Sequence, residues 1–323
     1  VKTFEHFDAE SVDEALSLLK GYRGKARLMA GGTDLLGVLK DQIFEKYPKA
    51  LINIKTIPGL DAIKEDAGGL RIGALAKLAE IVGSPAVKAK FPALSLAAAS
   101  VASPEIRSMG TIGGNLCQDV RCWYYRYPHH MGGRLLCRRK GSGPCLAVKG
   151  DNRYHAIMGG KACFAVCPSD TAIALSALEA QIEIAGLEGA RRIPVQDFFT
   201  PLGNGLSQNE LVTGVRIPNP PQGCRQTFLK FTLRKPMDFA VASVASVITV
   251  KDGVCADARI VLGGVAPGPF RAEGAEQILM QKRLDPETAE EAAGASVAGA
   301  RALSGNAYKI EITKALVKRA LLS

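Results

Sequence analysis

No stretch of this 323-residue chain approaches the ~20 consecutive apolar residues that a membrane-spanning helix requires, so no membrane association is expected. Val1 to Glu10 carries acids and no apolar run, which is not the pattern of a secretory signal, and the expected location is the cytoplasm. Internal repeats and low-complexity tracts are missing too. With 47% of residues apolar and 22% charged, a mainly disordered chain is excluded. Two common phosphate-binding signatures are also lacking: no G-x-G-x-x-G fingerprint occurs, and no glycine loop carries the lysine of a P-loop. Cysteine runs of the ferredoxin type, with two or three residues between ligands, do not occur either.

What is present begins with length. A chain of 323 residues exceeds what one hydrophobic core normally serves, so two or three domains are expected. Its formal charge of +10 is partly focused: Arg121, Arg126, Arg134, Arg138, Arg139, Lys140, Lys149, Arg153 and Lys161 stand against one acid, Asp151. A nucleic-acid surface is one use for such a stretch. The same stretch, however, holds three of the eight cysteines, with three more just outside it, and neighbouring cations would stabilise a negatively charged thiolate centre. No nucleic-acid partner is therefore expected. Cys117, Cys122, Cys137, Cys145, Cys163 and Cys167 crowd together, while Cys224 and Cys255 stand alone as small buried residues. Without a secretory signal this distribution points to metal or thiol chemistry rather than disulfides.

Along the chain, a strand at Thr3–Phe7 leads to a helix from Val12, with Ser11 and Glu14 as a capping box and Gly21 as its stop. Strands follow at Arg27–Ala30 and Ala50–Asn53 around a helix at Leu35–Lys40, which makes a small α/β unit. A second region carries a strand at Gly69–Ile72, a helix start at Leu78–Val82, an alanine-rich buried helix at Phe91–Ser103, a helix at Ser169–Leu178, and strands at Gln181–Ala185 and Arg192–Val195. Prolines at 218–221 mark a boundary. Beyond it lie three strands (Thr227–Thr232, Ala240–Val250, Ala258–Gly263) and helices at Arg271–Leu279, Pro286–Leu303 and Ile310–Ser323.

Two glycine loops stand out. Ala30-Gly31-Gly32-Thr33-Asp34 sits between strand and helix, where free N–H groups favour phosphate, although a tight turn with a helix cap is an equally simple reading. Ser108 to Asn115 cannot be a helix interior, because each glycine there costs about 1 kcal/mol relative to alanine. It is expected to be a loop whose successive amides form an anion-binding nest. Two such loops in neighbouring units suit a ligand with two phosphates, and a dinucleotide better than a mononucleotide.

Phe4 to Leu36, with Ser11-x-x-Glu14-Ala15-x-x-Leu18-Leu19 leading to Ala30-Gly31-Gly32-Thr33-Asp34-Leu35-Leu36, resembles the start of the FAD-binding medium subunit of the molybdenum hydroxylases. Arg107-x-x-Gly110-Thr111-Ile112-Gly113-Gly114-Asn115 resembles that family's second flavin loop, and Pro168-Ser169-Asp170, Phe228-x-Lys230 and Asp238-Phe239-Ala240 also have counterparts. The resemblance implies an α+β protein: a two-part FAD-binding region, one α/β and one α+β, of the vanillyl-alcohol-oxidase or PCMH type, then a C-terminal three-stranded antiparallel sheet with helices. The implied divisions are residues 1–55, 56–217 with a cysteine-rich insertion at about 117–163, and 218–323. It implies that the FAD pyrophosphate lies on Met29, Ala30, Gly31, Gly32, Thr33, Asp34, Leu35 and Leu36, and on the second loop with Arg107, Gly110, Thr111, Gly113, Gly114 and Asn115. Asp170 and Lys230 would contact the flavin region. Their plainer readings are a helix cap after Pro168 and a solvated strand residue. No catalytic acid or base is required, because the flavin itself does the redox chemistry.

Roughly forty residues beyond the simple family pattern separate Asn115 from Ser169, and closing so long an excursion is where a metal clip contributes most. Structural zinc is one candidate, with Cys163 and Cys167 as half of a site and His129, His130 or His155 completing it. The inserted loop also resembles that of the β subunit of the 4-hydroxybenzoyl-CoA reductases, which implies a 4Fe-4S cluster. The expected ligands are Cys122, Cys137, Cys145 and Cys163, with Cys167 or His155 as alternatives for the fourth; Cys117 would pack beneath the flavin loop. Trp123, Tyr124, Tyr125 and Tyr127 would shield the centre. The resemblance implies an electron-relay subunit that works beside a molybdenum-cofactor subunit and a 2Fe-2S subunit, in a dimer of heterotrimers. Reduced ferredoxin would be the donor, docking on the basic loop, and a dehydroxylation of 4-hydroxybenzoyl-CoA the reaction. The rivals are an NAD-linked hydroxylase flavoprotein with a zinc-bound loop, and a zinc-stabilised nucleic-acid module.

Overall fold

A computed structural model describes residues 1–160, 162–234 and 237–323; Lys161, counted above with the basic stretch, lies outside the described residues. At the start of the chain, the Ser11 hydroxyl accepts the Glu14 N–H at 3.1 Å, while the Glu14 carboxylate accepts the Glu10 N–H at 2.8 Å, one residue before the cap residue a capping box would use. Helix α1 (Val12–Tyr22) runs through Gly21 and ends at Arg23, which takes the left-handed conformation at φ 47°. The stop is thus set by Arg23, whose N–H bonds back to Lys20, and not by the glycine. Ala15, Leu16 and Leu19 of α1 are buried in a core shared with a parallel sheet of β1 (Glu5–Asp8), β2 (Ala26–Met29) and β3 (Ala50–Asn53), in the order β1-β3-β2. Parallel strands of one sheet need crossover connections, supplied from β1 to β2 by α1 and from β2 to its neighbour β3 by the segment holding α2 (Leu35–Lys40).

The second unit opens with the hairpin β4 (Ile63–Asp66) and β5 (Gly69–Gly73). Five short helices follow: α3 (Leu78–Gly83), α4 (Pro85–Lys90), α5 (Pro92–Ala99), α6 (Pro104–Met109) and α7 (Ile112–Cys117). Prolines at the first position of α4, α5 and α6 restart the helix each time, and the buried helix ends at Ala99, short of Ser103, before a turn in which Ala102 takes φ 44°. After the insertion, with its one-turn helix α8 (His129–Gly132), come α9 (Asp170–Ala177), β6 (Gln181–Gly186), β7 (Gly189–Pro194), α10 (Val195–Phe198), the small hairpin β8 (Phe199–Thr200) and β9 (Gly203–Asn204), and β10 (Glu210–Pro218). The sheet order is β4-β5-β10-β6-β7, so its central strand is one the sequence reading did not anticipate. Gly214 interrupts the apolar pattern of β10 at a bulge, and a Cβ there would stand 3.0 Å from the Ile72 carbonyl oxygen.

The last region is an antiparallel meander of β11 (Arg225–Phe231), β12 (Ala242–Lys251) and β13 (Val254–Gly263), joined by a two-residue fourth strand, β14 (Phe270–Arg271). One face, with Phe228, Ala245, Val247 and Val261, completes the core of the second unit. The other packs with α11 (Glu273–Leu279), α12 (Pro286–Ser296) and α13 (Tyr308–Leu322). β12 is buried on both faces from Ala242 to Thr249, which explains why apolar residues occupy both faces there, with Ser243, Ser246 and Thr249 buried among them.

The insertion is closed at its base by an antiparallel bridge between Arg121 and Val166. It does not hang from the second unit alone. Ile157 and Met158 enter the C-terminal core, and the Asn306 amide and the Lys309 ammonium donate to the His155 carbonyl at 3.1 and 3.0 Å. Among the described residues no helix is long and apolar enough to cross a membrane.

Candidate functional site

The two glycine loops meet. A Cβ on Gly31 would stand 2.0 Å from the Met109 carbonyl oxygen, and one on Gly110 would stand 3.4 Å from the Thr33 hydroxyl, so the absence of side chains lets the loops abut. Gly32 takes φ +71°, which a glycine adopts without strain. The cleft beside them has a volume of about 510 Å3, within the range of small-molecule sites, and Ala30, Gly31, Gly32, Thr33, Asp34, Leu35, Thr111, Gly113 and Gly114 all line it. Met29, Leu36, Arg107, Gly110, Asn115, Asp170 and Lys230 are not part of that wall.

Backbone donors divide the loops sharply. Among the described residues, the N–H groups of Gly32, Thr33 and Asp34 find no acceptor. Those of Ile112, Gly113 and Asn115 donate to the carbonyls of Ala76, Ala74 and Thr111, and that of Gly114 donates to the Thr111 hydroxyl. The second segment is therefore not the open nest expected of it. It is the short helix α7, capped by Thr111, and its glycines permit close packing: a Cβ on Gly113 would stand 2.9 Å from Ala74. That packing offsets the propensity penalty on which the loop expectation rested.

The remaining family positions brace this floor. The Asn115 side-chain oxygen accepts from the hydroxyls of Ser169 and Thr171, each at 2.6 Å, and so ties α7 to α9. Arg107 donates to the carbonyls of Val101 and Ala102 at 2.9 and 2.8 Å, holding a turn in which Ala102 has positive φ. Asp170 and Lys230 are brought together as a buried ion pair at 2.6 Å, with the Lys230 ammonium also donating to the Ser100 carbonyl at 2.9 Å. Burial pushes the Asp170 carboxyl up and Lys230 opposes it. Neither residue is solvated, so the plain reading of Lys230 as a surface strand residue does not hold.

The cysteines separate into two places. Cys117 and Cys167 line the glycine-loop cleft. Cys122 and Cys163 share a small core with Val120, Tyr125 and Ala165. Burial pushes the Cys122 thiol up to about 11, against the Tyr125 and Tyr124 N–H groups and with smaller help from Cys163 and Cys145; burial draws Lys140 down, with Cys137 and Cys122 opposing. His155 Nε2 stands 3.2 Å from Cys122 Sγ; burial and the Lys309 charge hold this imidazole down at about 4, hence neutral. Among the described residues no three ligating side chains converge on a single-ion site. Trp123 stacks on Tyr154 at 5.8 Å over this region, while Tyr124 and Tyr125 are half-buried.

A set of contacts that the sequence did not reveal joins the cysteine region to the cleft. Asp34 accepts from Arg126 Nη2 at 2.8 and 2.9 Å, lies 2.9 Å from Arg121 Nη2, and accepts the Asp119 N–H at 2.9 Å. Burial, then the Arg126 charge, draws the Arg121 guanidinium down to about 10, with Asp34 opposing, so it stays charged at neutral pH. These arginines were counted in the basic stretch, but they face inward, and Lys140 is buried as well. Among the described residues, the exposed cations of the insertion are Arg134, Arg138, Lys149 and Arg153.

Comparison with known proteins agrees with this geometry. Residues 2–220 match the family described as the FAD binding domain in molybdopterin dehydrogenase, and residues 227–323 match the CO dehydrogenase flavoprotein C-terminal domain. The chain is 38% identical over 265 residues to the FAD-binding subunit PaoB of an aldehyde oxidoreductase from Escherichia coli (strain K12), covering 79% of this chain and 80% of that one. It is 31% identical over 325 residues to the carbon monoxide dehydrogenase medium chain of Hydrogenophaga pseudoflava, covering 98% and 96%. A solved structure of carbon monoxide dehydrogenase from that organism, lacking the Mo-pyranopterin moiety of the molybdenum cofactor, superposes with a TM-score of 0.80 at 30% identity, covering 99% of this chain and 96% of the other. The fold and the cleft thus define an FAD-binding oxidoreductase subunit. The chain belongs to the family of FAD-binding medium subunits of the molybdenum hydroxylases and carbon monoxide dehydrogenases.

Proposed function

We propose that this subunit relays electrons between an FAD in the glycine-loop cleft and a 4Fe-4S cluster held by Cys122, Cys137, Cys145 and Cys163, inside an assembly with a molybdenum-cofactor subunit and a 2Fe-2S subunit. The observation that supports the reading is the sorting of the cysteines, with Cys122 and Cys163 in one small core, Cys145 near Cys122, and Cys117 and Cys167 on the glycine-loop cleft. When bound, the flavin supplies one- and two-electron chemistry and the cluster one-electron transfer. The unloaded Cys122 thiol, pushed up by burial, would release its proton on ligation, and the neighbouring Lys140 and the cationic insertion would offset the charge of four thiolates. Trp123 and Tyr154 would limit water access on the outer side. For the flavin, the free N–H groups of Gly32, Thr33 and Asp34 are donors for the diphosphate, and α7 provides the close-packed floor.

The partner's reaction is read from the loop: its resemblance to that of the 4-hydroxybenzoyl-CoA reductases favours reductive dehydroxylation, with reduced ferredoxin docking on Arg134, Arg138, Lys149 and Arg153. The 38% identity to an aldehyde oxidoreductase subunit favours a second reading, aldehyde oxidation with electrons leaving through this chain. Assaying the assembled complex on both substrate classes separates the two. A fall in the rate of reduction by ferredoxin as ionic strength rises supports the docking surface; a flat response removes it. The cluster itself is tested by iron and acid-labile sulfide in anaerobically purified protein. About four of each per chain are expected, lost in Cys122→Ser and Cys163→Ser but retained in Cys117→Ser and Cys167→Ser. One zinc per chain, or iron retained in the first pair, overturns it.

A further inference from the structure

A carboxylate at the mouth of a diphosphate cradle is electrostatically unfavourable, yet Asp34 directly follows the free amides of Gly32 and Thr33. The compensation comes from far along the chain. Arg126 and Arg121 meet Asp34 at 2.8 and 2.9 Å, and Asp119, also on the cleft wall, donates its N–H to Asp34 while its carboxylate accepts the Tyr125 hydroxyl at 2.5 Å. Two acids and two guanidiniums sum to zero charge; removing one guanidinium leaves a net negative charge beside the amides. The arrangement is also rigidly connected to the cysteine region. The Arg126 N–H donates to the Cys122 carbonyl at 2.9 Å, and its side chain donates to the carbonyls of Val120 and Asp119 at 2.8 and 3.0 Å. One turn of chain therefore carries both a cysteine of the small core and the cation on the flavin loop.

We infer that Arg126, supported by Arg121, is a positioning residue that latches the cysteine insertion onto the first glycine loop and sets its affinity for the diphosphate of FAD by neutralising Asp34. The inference rests on the diphosphate lying at Gly31 to Asp34. It does not require a filled cluster.

The test is titration of the flavin-stripped full chain with FAD, ADP and riboflavin, in the parent and in Arg126→Met, Arg126→Lys, Asp34→Asn and Asp34→Asn/Arg126→Met. Arg126→Met is expected to weaken FAD and ADP by about tenfold, to leave riboflavin, which has no phosphate, unchanged, and to be partly restored in Arg126→Lys. In the Asp34→Asn background the same change should weaken FAD by less than about twofold, because the charge to be neutralised is gone. Equal losses in both backgrounds, an equal loss for riboflavin, or unaltered FAD affinity in Arg126→Met overturn the latch. Melting curves of each variant identify any that fail to fold, and the charge-conserving Arg126→Lys then decides: a partial loss for ADP with riboflavin unchanged supports the latch, and parent-like ADP affinity or a loss equal for ADP and riboflavin overturns it. The placement of the diphosphate is tested apart from the latch by Gly32→Ala, which strains the φ +71° position of the loop. Retained ADP affinity there removes the placement itself, whereas ADP lost in Gly32→Ala but kept in Arg126→Met removes only the latch.

Discussion

The two glycine segments look alike in sequence and behave differently in the fold. In Gly31-Gly32-Thr33-Asp34, on the cleft wall, the N–H groups of Gly32, Thr33 and Asp34 are left without acceptors among the described residues; in Gly110-Thr111-Ile112-Gly113-Gly114 the glycines let a short helix sit against Ala74, and every amide but that of Thr111 is engaged inside the protein. Glycine content signals close backbone approach. Whether the approach serves a ligand or a neighbouring segment is decided by where the donors end up, which no local pattern records.

The largest effect is expected where both uses coincide. Gly31→Ala puts a Cβ against the Met109 carbonyl, so the loops must part. Unfolding in denaturant should show a loss of about 3 kcal/mol, with FAD affinity down by roughly 100-fold; parent-like values for both would break the picture of abutting loops. Asn115→Ala sharpens the contrast, because it leaves the Ser169 and Thr171 hydroxyls without their acceptor. A loss of about 2 kcal/mol is expected while FAD affinity stays within about twofold, as befits a brace; a selective loss of flavin would instead make Asn115 a contact residue. Smallest is Thr111→Val, which removes the cap on the Gly114 N–H. It should lower stability by about 1 kcal/mol, read from the same denaturation curves; parent-like stability would remove the cap.

Local chemistry was legible in the sequence. The helix at Leu35–Lys40 and the strand at Ala50–Asn53 form where the apolar spacing put them, and the first glycine loop lies on the cleft. β10 escaped because Gly214 and its bulge break the alternation that marks a strand, and its central place depends on neighbours distant in sequence. The helix α7 escaped because its stabilisation comes from Thr111 and Ala74 and not from propensity. The Asp34–Arg126 pair joins residues ninety-two positions apart, and only the returned insertion brings them together. The place of Cys117 and Cys167 on the cleft was easier to read, since both stand next to the glycine-loop and Pro168-Ser169 segments in the chain.

Amide hydrogen exchange, measured residue by residue with and without FAD, tests the difference between the two segments most directly. The open donors of Gly32, Thr33 and Asp34 should gain protection when the flavin binds, while Ile112 to Asn115, already engaged, should exchange slowly in both states. Protection gained at 112–115 with none at 32–34 would contradict the account.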